Sequence, residues 1–197
     1  MVFSSAIFLF AFLPIVIFAY HAFSSLRYKN SLLLIASLFF YSWGEPINVF
    51  VMLLSIVVNW GFSLLLQKYK KKNLPQNVFF ALSICFNLGL LFYFKYIDFF
   101  IENFNSIFLC NIQKTGVALP IGISFFTFQA LSYIIDVKRN RVPVQKNLLD
   151  LGLYISFFPQ LIAGPIVRYI DIKEQIQKRH IDFQKFNAGW RFAFSGG

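Results

Sequence analysis

The chain has 197 residues, of which 58% are hydrophobic, 20% aromatic and only 13% charged, with 28 Phe and a formal net charge of +10. A water-soluble domain carries about a quarter charged residues and could not bury so many phenylalanines in one small core, so composition excludes a soluble fold and points to one whose solvent is mainly lipid. The 18 Lys and Arg fall in short clusters between apolar runs, at Arg27 and Lys29, Lys68 to Lys72, Lys138 to Lys146 and Arg168 to Arg191; this is loop charge on a membrane protein, with no nucleic-acid partner implied.

Crossing about 30 Å of hydrocarbon takes roughly twenty apolar residues. Phe3 to Phe23 has that length. With no basic residue before it and no small-x-small site after it, it reads as a retained span and not a cleaved signal. Ser31 to Trp43 is apolar but short, broken by Gly44-Glu45-Pro46 before Ile47 to Leu66 supplies a full-length span. Asn77 to Tyr93 follows; then Lys95 to Gly116, where Asp98, Glu102, Asn103, Asn105 and Asn111 mix with Phe and Ile, reads as interfacial. Val117 to Val137 is again long enough to cross. Asn147 to Ile166 begins as an apolar run but contains Pro159, Gly164 and Pro165, which argue against a straight helix. Cys85 and Cys110 have no CxxC spacing and imply neither a disulfide framework nor a metal site.

If Arg27 and Lys29 face the cytoplasm, one crossing per run places the Glu45 turn outside, Lys68 to Lys72 inside, the Asp98 and Glu102 segment outside and Lys138 to Lys146 inside. A full crossing by Asn147 to Ile166 would put the last basic cluster on the wrong side, whereas a re-entrant hairpin returns it to the cytoplasm. Irregular backbone at membrane depth is tolerated only against protein or a water-filled cavity, so the hairpin points to an interior site. After it, Phe183, Phe186, Trp190 and Phe194 start a helical stripe close to Gly197, and the sequence is expected to be a fragment of a longer protein.

Gln129, Ser132, Tyr133 and Asp136 stand at i, i+3, i+4 and i+7 and share one helix face. Such a polar face in hydrocarbon turns toward other helices or a cavity. It serves either as packing through Ser132, with Asp136 paired to Lys138 or Arg139, or as the wall of a substrate passage. Gln160, between Pro159 and the Gly164-Pro165 pair, either caps carbonyls freed by the prolines or lines the same passage. Asn59 and Asn87 are single amides that read as interhelical glue. His21 and His180 lack the setting of a general base. Neither a phosphate-cradling loop, a GxSxG elbow nor a His/Cys cluster is present.

The segments Leu119-Pro-Ile-Gly-Ile-Ser-Phe-Phe-Thr-Phe-Gln129, Leu131-Ser-Tyr-Ile-Ile-Asp-Val137 and Phe157-Phe-Pro-Gln-Leu-Ile-Ala-Gly-Pro165 resemble the N-terminal half of the membrane-bound O-acyltransferase family. Met1-Val-Phe-Ser-Ser5, the run ending in Trp43, and Tyr93-Phe-Lys-Tyr96 extend the likeness along the chain, toward the bacterial branch that acetylates alginate and peptidoglycan. The resemblance implies an all-α, polytopic integral membrane protein of the bacterial inner membrane. Residues 1–197 would be the N-terminal part of one acyltransferase domain, a ring of helices around a thin, re-entrant centre. It implies no bound cofactor, an acyl thioester donor (acetyl-CoA or an acyl carrier) on the cytoplasmic side, and an outer polysaccharide or a periplasmic acetyltransferase as partner. The family's catalytic histidine lies on a later helix and has no matching position here, so the chain alone is expected to be inactive, with Gln129, Ser132, Asp136 and Gln160 as passage residues. A transporter or flippase, or a non-catalytic membrane scaffold, is the competing reading; no inverted repeat supports the first.

Overall fold

The computed structural model describes residues 6–22, 24–163 and 167–177, and its regular elements there are all helices. A five-residue π-helical turn, Phe8–Phe12, runs into α1 (Leu13–Ala22). Pro14 accounts for the wide turn: a proline ring clashes with the carbonyl four residues back, and an i→i+5 turn relieves that clash without breaking the helix. The described part of the first apolar run is thus helical throughout.

The second helix, α2 (Leu26–Gly44), is longer than its apolar run. Arg27 and Lys29 lie in its first turn, which corrects their assignment to a loop. It stops at Glu45 because Pro46 disfavours helical backbone in the residue before it; the Glu45 carboxylate then accepts a hydrogen bond from the Asn48 amide and holds the turn into α3 (Val49–Lys68).

After the lysine-rich turn the chain forms α4 (Asn73–Phe108), 36 residues and therefore about 54 Å long. Asn77 to Tyr93 and the first part of the Lys95 to Gly116 segment are one continuous helix, which corrects the reading of the latter as a separate interfacial piece. The amides and acids there hold the returning loop instead. Asp98 accepts from Thr115 N–H at 2.8 Å, from its hydroxyl at 2.7 Å and from Gly116 N–H at 3.1 Å. Asn105 exchanges two bonds with the Ile112 backbone, at 2.8 and 3.0 Å, and Glu102 pairs with Lys114.

Val117 to Val137 is not one crossing helix: α5 spans only Ile123–Lys138. It starts after Gly122, whose φ of 74° is left-handed and costs glycine nothing. Next come α6 (Leu148–Ser156), capped by the Asn147 side chain accepting from Leu149 N–H at 3.0 Å, then α7 (Phe158–Ala163) and α8 (Tyr169–Gln177). The expected break in the last apolar run is real and falls at Phe157, whose ψ of 111° leaves helical space two residues ahead of Pro159. Gly164, Pro165 and Ile166, and the stripe from Phe183 to Phe194, lie outside the described residues.

α5 is the interior helix, with ten of its sixteen residues buried. It packs on α3, α4, α6 and α8, while α6 rests on α2 and α3. The main core joins Met52 and Ile56 of α3, Phe126, Ala130 and Ile134 of α5, and Leu151 and Ile155 of α6. A second, aromatic core packs Phe8 and Phe12 against Phe40 and Phe158 with ring centroids 5.3–5.9 Å apart. α3 and α4 are long and apolar enough to cross a membrane, yet only 33% and 17% of their most apolar stretches are buried. The core helix of a soluble protein would be mostly buried; here Phe10, Phe18, Phe50 and Leu74 stand more than two-thirds exposed, a surface suited to lipid.

Lys138 Nζ donates to Gln76 Oε1 at 2.7 Å and to Asn77 Oδ1 at 2.6 Å. This brings the loop after α5 against the start of α4, so the Lys68 to Lys72 turn and the Lys138 to Lys146 loop occupy one end of the bundle.

Candidate substrate-passage site

The polar stripe of α5 meets the broken segment directly. Gln129, only 2% exposed, donates from Nε2 to Gln160 Oε1 at 2.9 Å, across from α5 to α7. Its own Oε1 has no hydrogen-bond partner among the described residues. Ser132 donates to the Gln129 carbonyl at 2.8 Å and lies 3.4 Å from the Tyr154 hydroxyl on α6. That hydroxyl donates to the Val167 carbonyl at 3.1 Å, tying α6 to the segment before α8. Three of the four sequence-derived candidates, Gln129, Ser132 and Gln160, therefore form one cluster around Tyr154.

Asp136, 5% exposed, lies a turn further on, and its partner is neither Lys138 nor Arg139. Arg141 Nη1 stands 3.8 Å from Asp136 Oδ1, and Arg141 N–H donates to the Asp136 carbonyl at 2.9 Å. The reason is a backbone reversal at Asn140, whose φ of 56° turns the chain back over the helix end; Lys138 is meanwhile held by Gln76 and Asn77.

Tyr133, on the same stripe, accepts from Gln145 N–H at 2.9 Å. Gln145 Nε2 reaches the Tyr169 hydroxyl at 3.2 Å and Asp150 Oδ2 at 3.4 Å, and Asn30 of α2 donates to Asp150 Oδ1 at 2.8 Å and to the Ile176 carbonyl at 3.0 Å. A buried polar chain thus binds α2, α5, α6 and α8 together. Tyr169 is its hub, its ring edge-on to Tyr133 and Tyr154 with centroids 5.0 and 5.2 Å away. Burial pushes its phenol above the usual range.

Sequence reasoning missed Tyr154, Tyr169, Gln145, Asp150 and Asn30. The tyrosines looked like further aromatics in apolar runs, and the others flank those runs where polarity reads as loop. Asn59 and Asn87, expected as interhelical glue, form a reciprocal amide pair between α3 and α4 at 3.1 and 2.7 Å, both fully buried. His21 is exposed and its Nδ1 bonds the Ile17 carbonyl at 2.9 Å; His180 lies outside the described residues. Among the described residues no group of three His, Cys, Asp or Glu could hold a metal.

On the other side of Gln160 and Tyr154 is a cavity of about 380 Å³ between α1, α2, α6, α7 and α8. Its wall is mostly apolar, with Val16, Leu33, Leu153, Phe158 and Ile176 among the lining residues beside the polar groups of Tyr20, His21, Tyr154, Gln160 and Gln175.

Comparison with known proteins gives the chain its relatives. It is 39% identical over 194 residues to the "Probable alginate O-acetylase AlgI" of Pseudomonas syringae pv. tomato, covering 96% of this chain and 37% of that protein. The protein of the same name from Pseudomonas putida is 40% identical, with 96% of this chain and 40% of the relative covered. The "Peptidoglycan O-acetyltransferase" of Helicobacter pylori is 32% identical over 228 residues, covering all of this chain and 43% of the relative. No family model and no solved structure matches the chain. The chain spans about two fifths of the length of the curated relatives it matches, and along nearly all of its own length it is similar to bacterial O-acetyltransferases of polysaccharide and peptidoglycan.

Proposed function

From that similarity we propose that the chain forms part of a polytopic O-acyltransferase of the bacterial inner membrane. The enzyme transfers an acetyl group from a cytoplasmic thioester, acetyl-CoA or an acyl carrier, to hydroxyls of a polysaccharide outside. The observation that carries the reading is likeness over 96% of the chain to proteins named for this activity. In the reaction the acceptor hydroxyl attacks the thioester carbonyl carbon, its proton passes to a general base and the thiolate leaves. The base that the family resemblance implies, a histidine, has no matching position in these 197 residues, so transfer by the chain alone is not expected.

This chain's own residues build the wall of the passage. α6 and α7 form the re-entrant centre of a helical ring, their break at Phe157 opening the backbone where Gln160 meets Gln129. A buried carbonyl such as Gln129 Oε1, unpartnered among the described residues, is costly in hydrocarbon, and a hydroxyl or amide passing along the wall would satisfy it. Ser132 and Tyr154 continue that wall toward Asp136. The basic end of the bundle faces the cytoplasm and suits a donor that carries phosphates.

The test is donor-dependent acetylation by the full-length protein that carries this chain, with matched membrane amounts of wild type and Gln160→Leu. Impaired transfer with normal insertion is expected; full activity would reduce Gln160 to packing. Impermeant labelling of single cysteines at Lys70, Asn140 and Lys173 in intact cells should leave all three unmodified, and labelling at Lys173 would remove the re-entrant assignment.

A further inference from the structure

The cavity beside Gln160 calls for a different occupant from the passage. Its polar lining residues already have interactions: the Gln160 carbonyl accepts from Gln129, the Tyr154 hydroxyl donates to Val167, His21 Nδ1–H is held by the Ile17 carbonyl, and Tyr20 and Gln175 are engaged as well. A sugar, with many hydroxyls to satisfy, would be stripped of water here without replacement bonds. A volume of about 380 Å³ with mostly apolar walls is in the range of small-ligand sites, and it takes an unbranched hydrocarbon chain at little polar cost. At Tyr20, another lining residue, the environment changes: the Lys29 ammonium lies 4.8 Å from the Tyr20 ring centroid. A cation beside an apolar cavity is complementary to one abundant membrane molecule, a phospholipid with an anionic headgroup.

We propose that this cavity is a lipid site. It seats one acyl chain of an anionic phospholipid between α1 and α8, with the headgroup phosphate at Lys29. The site rests on the reading of the chain as a membrane protein and is independent of the acetyl-transfer reading. Through α8 and α1 it would link lipid occupancy to the wall carrying Gln160.

The experiment uses phosphatidylcholine vesicles holding the protein and a trace of phosphatidylglycerol with a diazirine in its acyl chain, followed by irradiation and mapping of labelled peptides. Label at Leu153, Phe157 and Ile172 is expected at several times the level on the outward-facing Phe18 and Phe50. Diazirine phosphatidylcholine should label the cavity several-fold less, and Lys29→Gln should abolish that headgroup preference. Val16→Trp, which fills the cavity, should remove the cavity label and leave the Phe18 and Phe50 label intact. Cavity label no stronger than that on Phe18 and Phe50 in the wild type would overturn the site, whether or not the tryptophan variant folds. Equal labelling by the two headgroups would overturn its anionic character. Loss of acetylation in Gln160→Leu with lipid labelling intact would separate this site's fate from that of the passage.

Discussion

Gln160→Leu tests the centre of the protein most sharply, because the structure shows what the substitution leaves behind. Among the described residues, wild-type Gln129 has one partner for its side-chain amide, the 2.9 Å bond to Gln160, and it is 2% exposed. Leucine at 160 removes that partner while Gln129 stays buried with neither amide atom paired. An orphaned buried polar group costs about 1–3 kcal/mol, against about 0.6 kcal/mol for an average interhelical hydrogen bond between membrane helices, so the orphan dominates. Gln160→Leu should therefore lower the folded-to-unfolded ratio by a factor of about 5–30, the equivalent of one to two kcal/mol. Gln129→Leu with Gln160→Leu removes both amides and should recover most of the loss. Detergent-micelle unfolding by SDS titration measures all four corners of the cycle. Costs that simply add in the double variant would refute the coupling. Acetyl transfer by the stability-restored double variant then decides between roles: transfer restored along with stability means the pair only packs, and stability without transfer means it lines the passage.

The same logic applies to Asn59→Leu, which should cost about 1–3 kcal/mol by stranding Asn87 Oδ1, with the Asn59→Leu/Asn87→Leu pair less costly than the sum in the same titration. Gly122→Ala forces a side chain into left-handed backbone and should destabilise by about 1–2 kcal/mol; an unchanged SDS midpoint would show that the turn relaxes. Asp98→Ala frees Thr115 and Gly116 and should speed proteolytic cleavage in the loop between α4 and α5 at least several-fold, read by gel. For Tyr169 the folded phenol titrates above its unfolded value near 10, so the folded state holds the proton longer. That stability is complete below about pH 10 and is lost as pH rises toward the raised folded value. Wild type should lose α8 packing there, and Tyr169→Phe, though weaker at neutral pH, should show a flatter alkaline limb by tryptophan fluorescence.

Helix number and type were legible where apolar runs end at strong punctuation: Gly44-Glu45-Pro46 stops α2, and the break before Pro159 divides the last run. Boundaries failed where apolarity and helicity part company. Val117 to Leu119 are apolar enough for a span, but the sequence does not reveal that Gly122 turns left-handed and delays α5 until Ile123. Lys95 to Phe108 looked like a change of environment; helical hydrogen bonds close locally, so α4 continues through it while its side chains change partner from lipid to loop. Of the candidate site, the i, i+3, i+7 spacing gave the α5 face and the isolated amide gave Gln160. Their contact spans 31 residues and requires the tertiary fold, as does the choice of Arg141 over two nearer cations for Asp136.

The length of α4 has a consequence for where a polymer could meet this protein. Hiding about 54 Å of helix inside about 30 Å of hydrocarbon would demand a tilt near 56°, beyond the 0–40° range that spanning helices adopt. If α4 crosses the bilayer, roughly three to four turns stand clear of the hydrocarbon. On the proposed topology the projecting end is the one bearing Asp98, Glu102 and Asn105, opposite the end tied by Gln76 and Asn77 to the basic loop. With the strap from Ile112 to Gly116 pinned along it, this stub is a mast with a fixed shelf. On the proposed reading, with this end outside and a glycan as acceptor, the polymer would encounter that shelf before it reached the bilayer, and the rise of one helix would set the height of acceptor entry.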